Sequence, residues 1–274
     1  MTTGEDLLLL AIVPGRRTIR IKKQVEARLR FALRASELAD LAMAGRIVFG
    51  TRRIEVTDSR RVENRHLSNV LHRLGTTAPP PGLNDWLRRT PRSLTIEYLS
   101  RLEDQKAVRV RRWRDAGGRT RHDILSVDLP RRRAVLARLD RVVRAGSATS
   151  SAADRDMTLA VLARAAGLAP AAYPGLRGTL DRRRMAAFAA ADRLAPATAG
   201  AAPVSDEELA AALTAGADAL TGRLVSELSD LYADFTTGGH GLSHNLDAGS
   251  WSEGGTGSTG HHGSGHGDGG HGGW

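Results

Sequence analysis

Arginine is the side chain of this sequence with the most chemistry to offer. Arg34 follows Leu33 directly inside an apolar stretch, Arg28 and Arg30 precede it by a turn or so, and Lys22 and Lys23 lie just upstream. A second basic position, Arg92, stands in the first turn of a helix expected to start near Pro91. A planar guanidinium fork suits phosphate, and a helix N-terminus carries partial positive charge, so both positions point to anion recognition. Two plain fates compete with that reading: solvation beside apolar surface, or pairing with a nearby carboxylate such as Glu37 or Glu97. Motifs for bond-making chemistry are missing. There is no P-loop, no GxGxxG opening a helix after a strand, no HExxH, no GxSxG and no cysteine, so the expectation is a protein that is not an enzyme and uses no cofactor.

Histidine gives a weaker signal. His66 and His72 lie beside the apolar positions Leu67, Val70, Leu71 and Leu74 of an expected helix and read as surface or partly buried residues, so no metal site is assigned to them. His261, His262, His266 and His271 sit in a glycine-rich tail. Neutral imidazoles on a flexible chain gather loosely around a divalent transition metal, but an incidental Gly/His tail is the preferred account, and no metal site is assigned here either.

Charge is unevenly spread. Residues 1–144 hold 32 Lys+Arg against 16 Asp+Glu, a net +16, whereas the remainder is acidic and brings the total to +10. The first part is thus the one to meet an anionic partner. With 274 residues and 41% hydrophobic side chains the chain can bury a sizeable core, and no apolar run approaches the roughly 18 residues of a membrane span. Glu5 and Asp6 precede the apolar run 7–13, where a secretory signal would be basic, so a cytoplasmic protein is expected.

The elements that must position these arginines follow from periodicity. Leu29, Leu33, Leu38, Leu41 and Ala42 recur at helical spacing, and Gly45 is placed to stop the helix, so the stretch Leu29 to Ile47 reads as a buried central helix. Before it, Thr2 or Thr3 caps a short buried helix through Leu10, and Thr18 to Ile21 is a brief extended piece. After it come a hairpin around Gly50 and Thr51 and a helix from Glu63 to Leu74. A triple-proline loop and a short helix with Trp86 and Leu87 follow, and then the helix from Pro91 to Lys106. Residues 107–127 form an arginine-rich hairpin, with Arg109, Arg111 and Trp113 on one side of its first strand and Val108, Val110 and Arg112 on the other. Helices over 129–145, 156–166 and 179–194 follow, with linkers at 147–153 and 196–203 and a break at 170–178. A last helix is capped by Ser205 and ends near Phe235. The expected fold is mainly α: a compact single-domain helical bundle (1–235) around the central helix, with two short β-hairpins and a disordered tail (236–274) of 15 glycines and six histidines. A helix followed by an arginine-rich hairpin also fits a winged-helix nucleic-acid binder, and pattern alone leaves that alternative open.

Five segments in order resemble the Golgi phosphoprotein 3 family, peripheral membrane proteins with many bacterial members that recognise phosphatidylinositol 4-phosphate. They are GEDLLLLAI at the N-terminus, LRASELADLAMAGRI in the central helix, Trp86 with Leu87, RLEDQKAVRV before the hairpin, and DRDMTLAVLARAAGL at 154–168. The resemblance covers roughly residues 3–195. It implies a head-group site using Arg34 and Arg92, while the family's pocket tryptophan and second helix arginine fall on Val25 and Thr95. With two of four positions replaced, it implies a general anionic head-group site, phosphoinositide-like, to which Arg28, Lys22 or Lys23 would add. The same resemblance assigns the hairpin, with Arg111, Arg112, Trp113 and Arg114, to oligomerisation or membrane contact, with Trp113 as the interfacial anchor. It also implies sorting or retention of membrane proteins, and a cytoplasmic protein held peripherally on the inner face of a membrane.

Overall fold

A computed structural model describes residues 1–15, 19–50, 53–145, 151–191, 223–224 and 226–233. The described chain is mostly helical with two small sheets.

Helix α1 (Thr3–Ala11) forms because Thr2 and Glu5 build a capping box. The Thr2 hydroxyl accepts the Glu5 N–H at 3.3 Å, and the Glu5 carboxylate accepts the Thr2 N–H at 2.9 Å. Every residue of α1 is buried. Its polar side chains therefore need internal partners: Glu5 accepts from Arg101 at 2.7 Å and Gln105 at 3.0 Å, and Asp6 accepts from Arg138 at 2.7 Å. Asp40 on the next helix accepts from the Thr3 N–H and hydroxyl.

The central helix, α2 (Lys23–Met43), starts well before the expected Leu29 and stops before the expected Ile47. Gly45 ends it at φ +65°, where its N–H donates to the Ala42 carbonyl and the Arg46 N–H to that of Leu41. Leu29, Leu33, Leu38 and Leu41 are fully buried as expected. Ala32, Ala35 and Ala39 are also buried, and their small side chains let α1 and α7 (Ser151–Ala165) pack against α2.

The strands depart from the expectation of two hairpins. Strands β3 (Ile47–Phe49) and β4 (Ile54–Val56) pair as read, and so do β5 (Val108–Arg114) and β6 (Thr120–Val127). Two further short strands, β1 (Ile12–Pro14) and β2 (Ile19–Ile21), pair with each other, and β2 joins β6 where Ile19 faces Ile124. The result is a four-stranded antiparallel sheet in the order β1-β2-β6-β5. Three-residue strands carry too little alternation to be seen locally, and their partner lies about a hundred residues on. Strand β6 meets β2 at Ile124, so the base of the arginine hairpin belongs to the larger sheet, while β5 and β6 pair only with each other from Arg111 to Asp123.

Helices α3 (Arg65–Thr76), α4 (Leu83–Arg88), α5 (Leu94–Asp104) and α6 (Leu129–Ala145) lie close to their expected ranges. Arg92 is an exception of detail, since it sits in the turn before α5 and not in its first helical turn. Helix α7 begins inside the expected linker, a short α8 (Ala169–Ala172) occupies part of the expected break, and α9 (Thr179–Ala191) follows. Residues 226–233 are helical, and the Tyr232 hydroxyl donates to the Arg28 carbonyl at 2.7 Å. The Ser205 cap, the linker at 196–203 and the tail from 236 lie outside the described residues. Among the described residues no helix is long and apolar enough to cross a membrane.

Candidate functional site

The arginines of α2 divide between two environments one helical turn apart. Arg34 is 3% exposed and faces inward, where its Nη1 donates to Glu37 at 2.8 Å and its guanidinium lies 4.0 Å from the Trp86 ring centroid on α4. Fully buried Glu37 also meets His66 Nε2 of α3 at 2.5 Å and the Tyr98 hydroxyl of α5 at 3.5 Å. Burial, and then the neighbouring Glu37 charge, push the Tyr98 hydroxyl well above its ordinary value, so it stays protonated and donates. Three helices, α2, α3 and α5, therefore meet on one carboxylate, and α4 adds Trp86 over its arginine partner. Arg34 Nε and Trp86 Nε1 are buried there without protein acceptors. His66 is a partner of Glu37, and among the described residues no cluster of His, Asp and Glu has the makings of a metal site.

One turn earlier, α2 presents Glu26, Ala27 and Arg30 to a partly open cleft of about 1020 Å³. Its other walls are β2, the turn before α5 with Arg92, the first turn of α5 with Thr95 and Ile96, and strands β5 and β6 with Arg111, Arg121, His122 and Asp123. Five arginines (20, 30, 92, 111 and 121) face two carboxylates, a formal +3. Burial, followed by Arg112, holds the His122 imidazole below its ordinary value, so it adds no charge at neutral pH.

These arginines are not equivalent. Arg111 is tied to Asp123 at 2.7 Å and Arg121 to Asp115 at 2.7 Å. Arg20, Arg30 and Arg92 have no carboxylate within ion-pair distance among the described residues. Arg30 lies 4.7 Å from the Phe31 ring centroid, and its Nε is buried without a hydrogen-bond partner. Burial, and next the charge of Arg92, lower the Arg30 guanidinium from its ordinary value. Two cations that repel each other beside an orphaned donor are what a multivalent anion would relieve.

Of the positions implied by the resemblance, the structure thus gathers Arg92, Thr95 and Arg111 in the cleft. Arg34 is not among the lining residues; it takes the plain fate, a pair with Glu37. Val25 is buried in the core, and Arg28 lies 5.2 Å from the Tyr232 ring centroid, away from the cleft wall. Arg30, named with Arg28 only as a basic neighbour of Arg34, lines the cleft, and so do Arg20 and Arg121, which the sequence did not single out. Arg30 and Arg34 are four apart and share a stripe, so helical phase cannot separate them. What separates them is α4, whose Trp86 covers Arg34 and not Arg30.

The hairpin sorts its arginines by face. Arg112 reaches back to α5, donating to Glu103 at 2.6 Å and to Ser100 at 3.2 Å. Arg111 and Trp113 turn the other way, both donating to Asp123, at 2.7 and 2.9 Å. Trp113 is 44% and Leu125 47% exposed, and Arg114 beyond them is exposed.

A family model for Golgi phosphoprotein 3 (GPP34) matches residues 4–223. The chain belongs to the Golgi phosphoprotein 3 family. No curated protein matches it in a sequence search. The Golgi phosphoprotein 3 match contains α1 through α9 and therefore both the Arg34 junction and the Arg30–Arg92 cleft, and it runs past the residues near 195 where the segment resemblance stops. The helical residues 226–233, beyond the match, pack on α2 through Tyr232 and on α4, where Asn84 donates to Glu227 at 2.9 Å.

Proposed function

We propose that this Golgi phosphoprotein 3 family member is a binding protein that takes the phosphate of an anionic phospholipid head group into the Arg30–Arg92 cleft and is held peripherally on a membrane surface. The observation that carries the reading is the pair Arg30 and Arg92. They come from separate elements, face one cleft, have no carboxylate partner among the described residues and raise each other's electrostatic cost, and Thr95 lines the same cleft as a neutral donor. Each lysine or arginine near an anionic bilayer adds about 1 kcal/mol of salt-sensitive attraction, so the basic hairpin and Arg20 would strengthen what the cleft captures. A phosphoinositide-like head group fits, because a phosphomonoester brings more charge and more acceptor oxygens than a diester.

The cytoplasmic setting, a role in retaining membrane proteins, and self-association through the 108–127 hairpin extend the proposal by family likeness.

Vesicle flotation tests the reading. The wild type should float with phosphatidylcholine vesicles doped with phosphatidylinositol 4-phosphate and should be released by salt. A charge-assisted phosphate contact contributes about 1.5–3 kcal/mol, so Arg30→Ala and Arg92→Ala should each weaken binding about 10- to 100-fold. Equal flotation of both variants and wild type would overturn it, as would a tighter, sequence-selective complex with duplex DNA at the same salt.

A further inference from the structure

The turn between α8 and α9 presents the most exposed large apolar side chain among the described residues. Leu176 is 93% exposed, and Leu180, four residues on in the first turn of α9, is 57% exposed. The turn is built to hold them there. Arg182 donates to the Tyr173 carbonyl, to that of Gly175 at 2.9 Å and to the Thr179 hydroxyl at 2.9 Å. The Thr179 N–H donates to the Leu176 carbonyl at 3.1 Å, Gly175 takes φ +71°, and a Cβ on Gly178 would lie 2.4 Å from the Tyr173 carbonyl oxygen. A backbone fixed on both sides of Leu176 thus keeps two neighbouring leucines in water, at the cost of leaving their apolar surface hydrated. The exposed charges beside them are basic: Arg177 and Arg183, with Arg184 paired to Asp181 at 3.5 Å. From Tyr173 to Arg184 four arginines stand against one carboxylate, a formal +3.

We propose that Leu176 and Leu180 form a membrane contact separate from both the cleft and the hairpin: the two leucines enter the interfacial layer of an anionic bilayer while the arginines around them meet its surface charge. This rests on the reading of the protein as held on a membrane, and adds a surface that meets the bilayer. An apolar tip ringed by arginines matches a lipid surface, which offers negative charge and hydrocarbon within one shallow layer, and arginine stems can lie along that layer with their charged heads in water. The position of the turn agrees. Arg132 donates to the Ile12 carbonyl at 3.1 Å and to the Ala171 carbonyl at 3.3 Å, tying α8 to β1, and Ile12 is paired with Ile21, which lines the cleft. Helix α8 is therefore one pair of strands from the cleft wall, and the turn follows it directly, so one bilayer can span both contacts. The two contacts differ in physical character. Phosphate contacts weaken with salt, whereas burial of leucine does not, so the leucines set the part of the binding that survives salt.

The chain has no cysteine, so Leu176→Cys gives the full-length protein a single thiol for an environment-sensitive fluorophore at the turn. The label should read as aqueous in the free protein. With vesicles of phosphatidylcholine doped with phosphatidylglycerol or with phosphatidylinositol 4-phosphate, its emission should shift to the blue and be quenched by brominated lipid. A label already shielded without vesicles means that the chain covers its own turn, and a label that stays aqueous on vesicles that carry the protein means that the turn faces away; either overturns the contact. The unlabelled double variant Leu176→Gln, Leu180→Gln should float about ten-fold more weakly on both vesicles, lose the salt-resistant part of the binding and keep the wild-type Tm, because both side chains are already in water. Flotation equal to wild type at low and high salt overturns the contact while leaving the Arg30–Arg92 site standing. Failure of the head-group reading looks different: Arg30→Ala and Arg92→Ala float as wild type while the Leu176→Cys label still shifts. A wild type that floats with neither vesicle overturns both.

Discussion

Replacing Arg34 by alanine separates a stabilising arginine from a ligand-binding one. Removing one partner of a buried ion pair costs about 3–5 kcal/mol, because the other charge stays buried without compensation. Here Glu37 keeps the His66 contact at 2.5 Å and that of Tyr98 at 3.5 Å, so the low end of that range applies, about 3 kcal/mol. Loss of the guanidinium stack on Trp86 adds to it. For a folded unit of about 150–250 residues each kcal/mol moves Tm by about 2–4 °C, so Arg34→Ala should melt about 6–12 °C below wild type. The paired measurement is Arg92→Ala, whose exposed, partnerless side chain should change stability by no more than about 0.5 kcal/mol. Differential scanning calorimetry of both variants beside vesicle flotation gives the result. An Arg34→Ala protein with wild-type Tm and weakened flotation would refute the internal assignment and return Arg34 to the head-group site.

Gly4→Ala should destabilise by about 1–3 kcal/mol in denaturant titration, because an added Cβ would lie 2.6 Å from Tyr98 Cε1 and Oη and 2.7 Å from Ser36 Oγ, and buried Tyr98 has nowhere to go. Asp6 makes a pH prediction. Burial raises its carboxyl from the ordinary 3.8 despite Arg138 and Arg155 and the N-terminal amine nearby, so the folded state holds its proton more tightly than the unfolded chain does. That contribution is present below 3.8 and is lost as pH rises through the folded value. The Tm of Asp6→Asn relative to wild type should therefore improve as pH is raised above 4 in roughly unit steps, and a constant difference across that series would count against it.

How much of this was legible depended on how local each cause is. The capping box at Thr2, the Gly45 stop and the 107–127 hairpin are written in a few neighbouring residues, and the structure follows them. The family likeness was legible for the same reason, as short segments kept in order. Strands β1 and β2 were not, since Ile19 has meaning as a strand residue only opposite Ile124. The cleft fell between these cases. Its chemistry, arginines against an anion, was visible in the charge of the first 144 residues, but the choice of Arg30 over Arg34 was made by Trp86, which comes from another helix. The same limit applies to Asp123, an unremarked acid in a basic hairpin until its neighbours are placed.

Helix α1 carries a consequence for biosynthesis. All nine of its residues are buried, and the helices that bury it are α2, α5, α6, α7 and α8, the last of which ends at Ala172. A ribosome adds about 5–20 residues per second, so the run Leu7–Leu10 leaves the tunnel roughly 8–30 s before its cover has been made. Throughout that time four consecutive leucines are only partly covered, by α2 and later α5 and α6. Helix α1 is thus among the last of the described helices to be fully enclosed, and the head-group cleft, built from β2, α2, α5 and β6, cannot be complete before the hairpin at 108–127 has emerged.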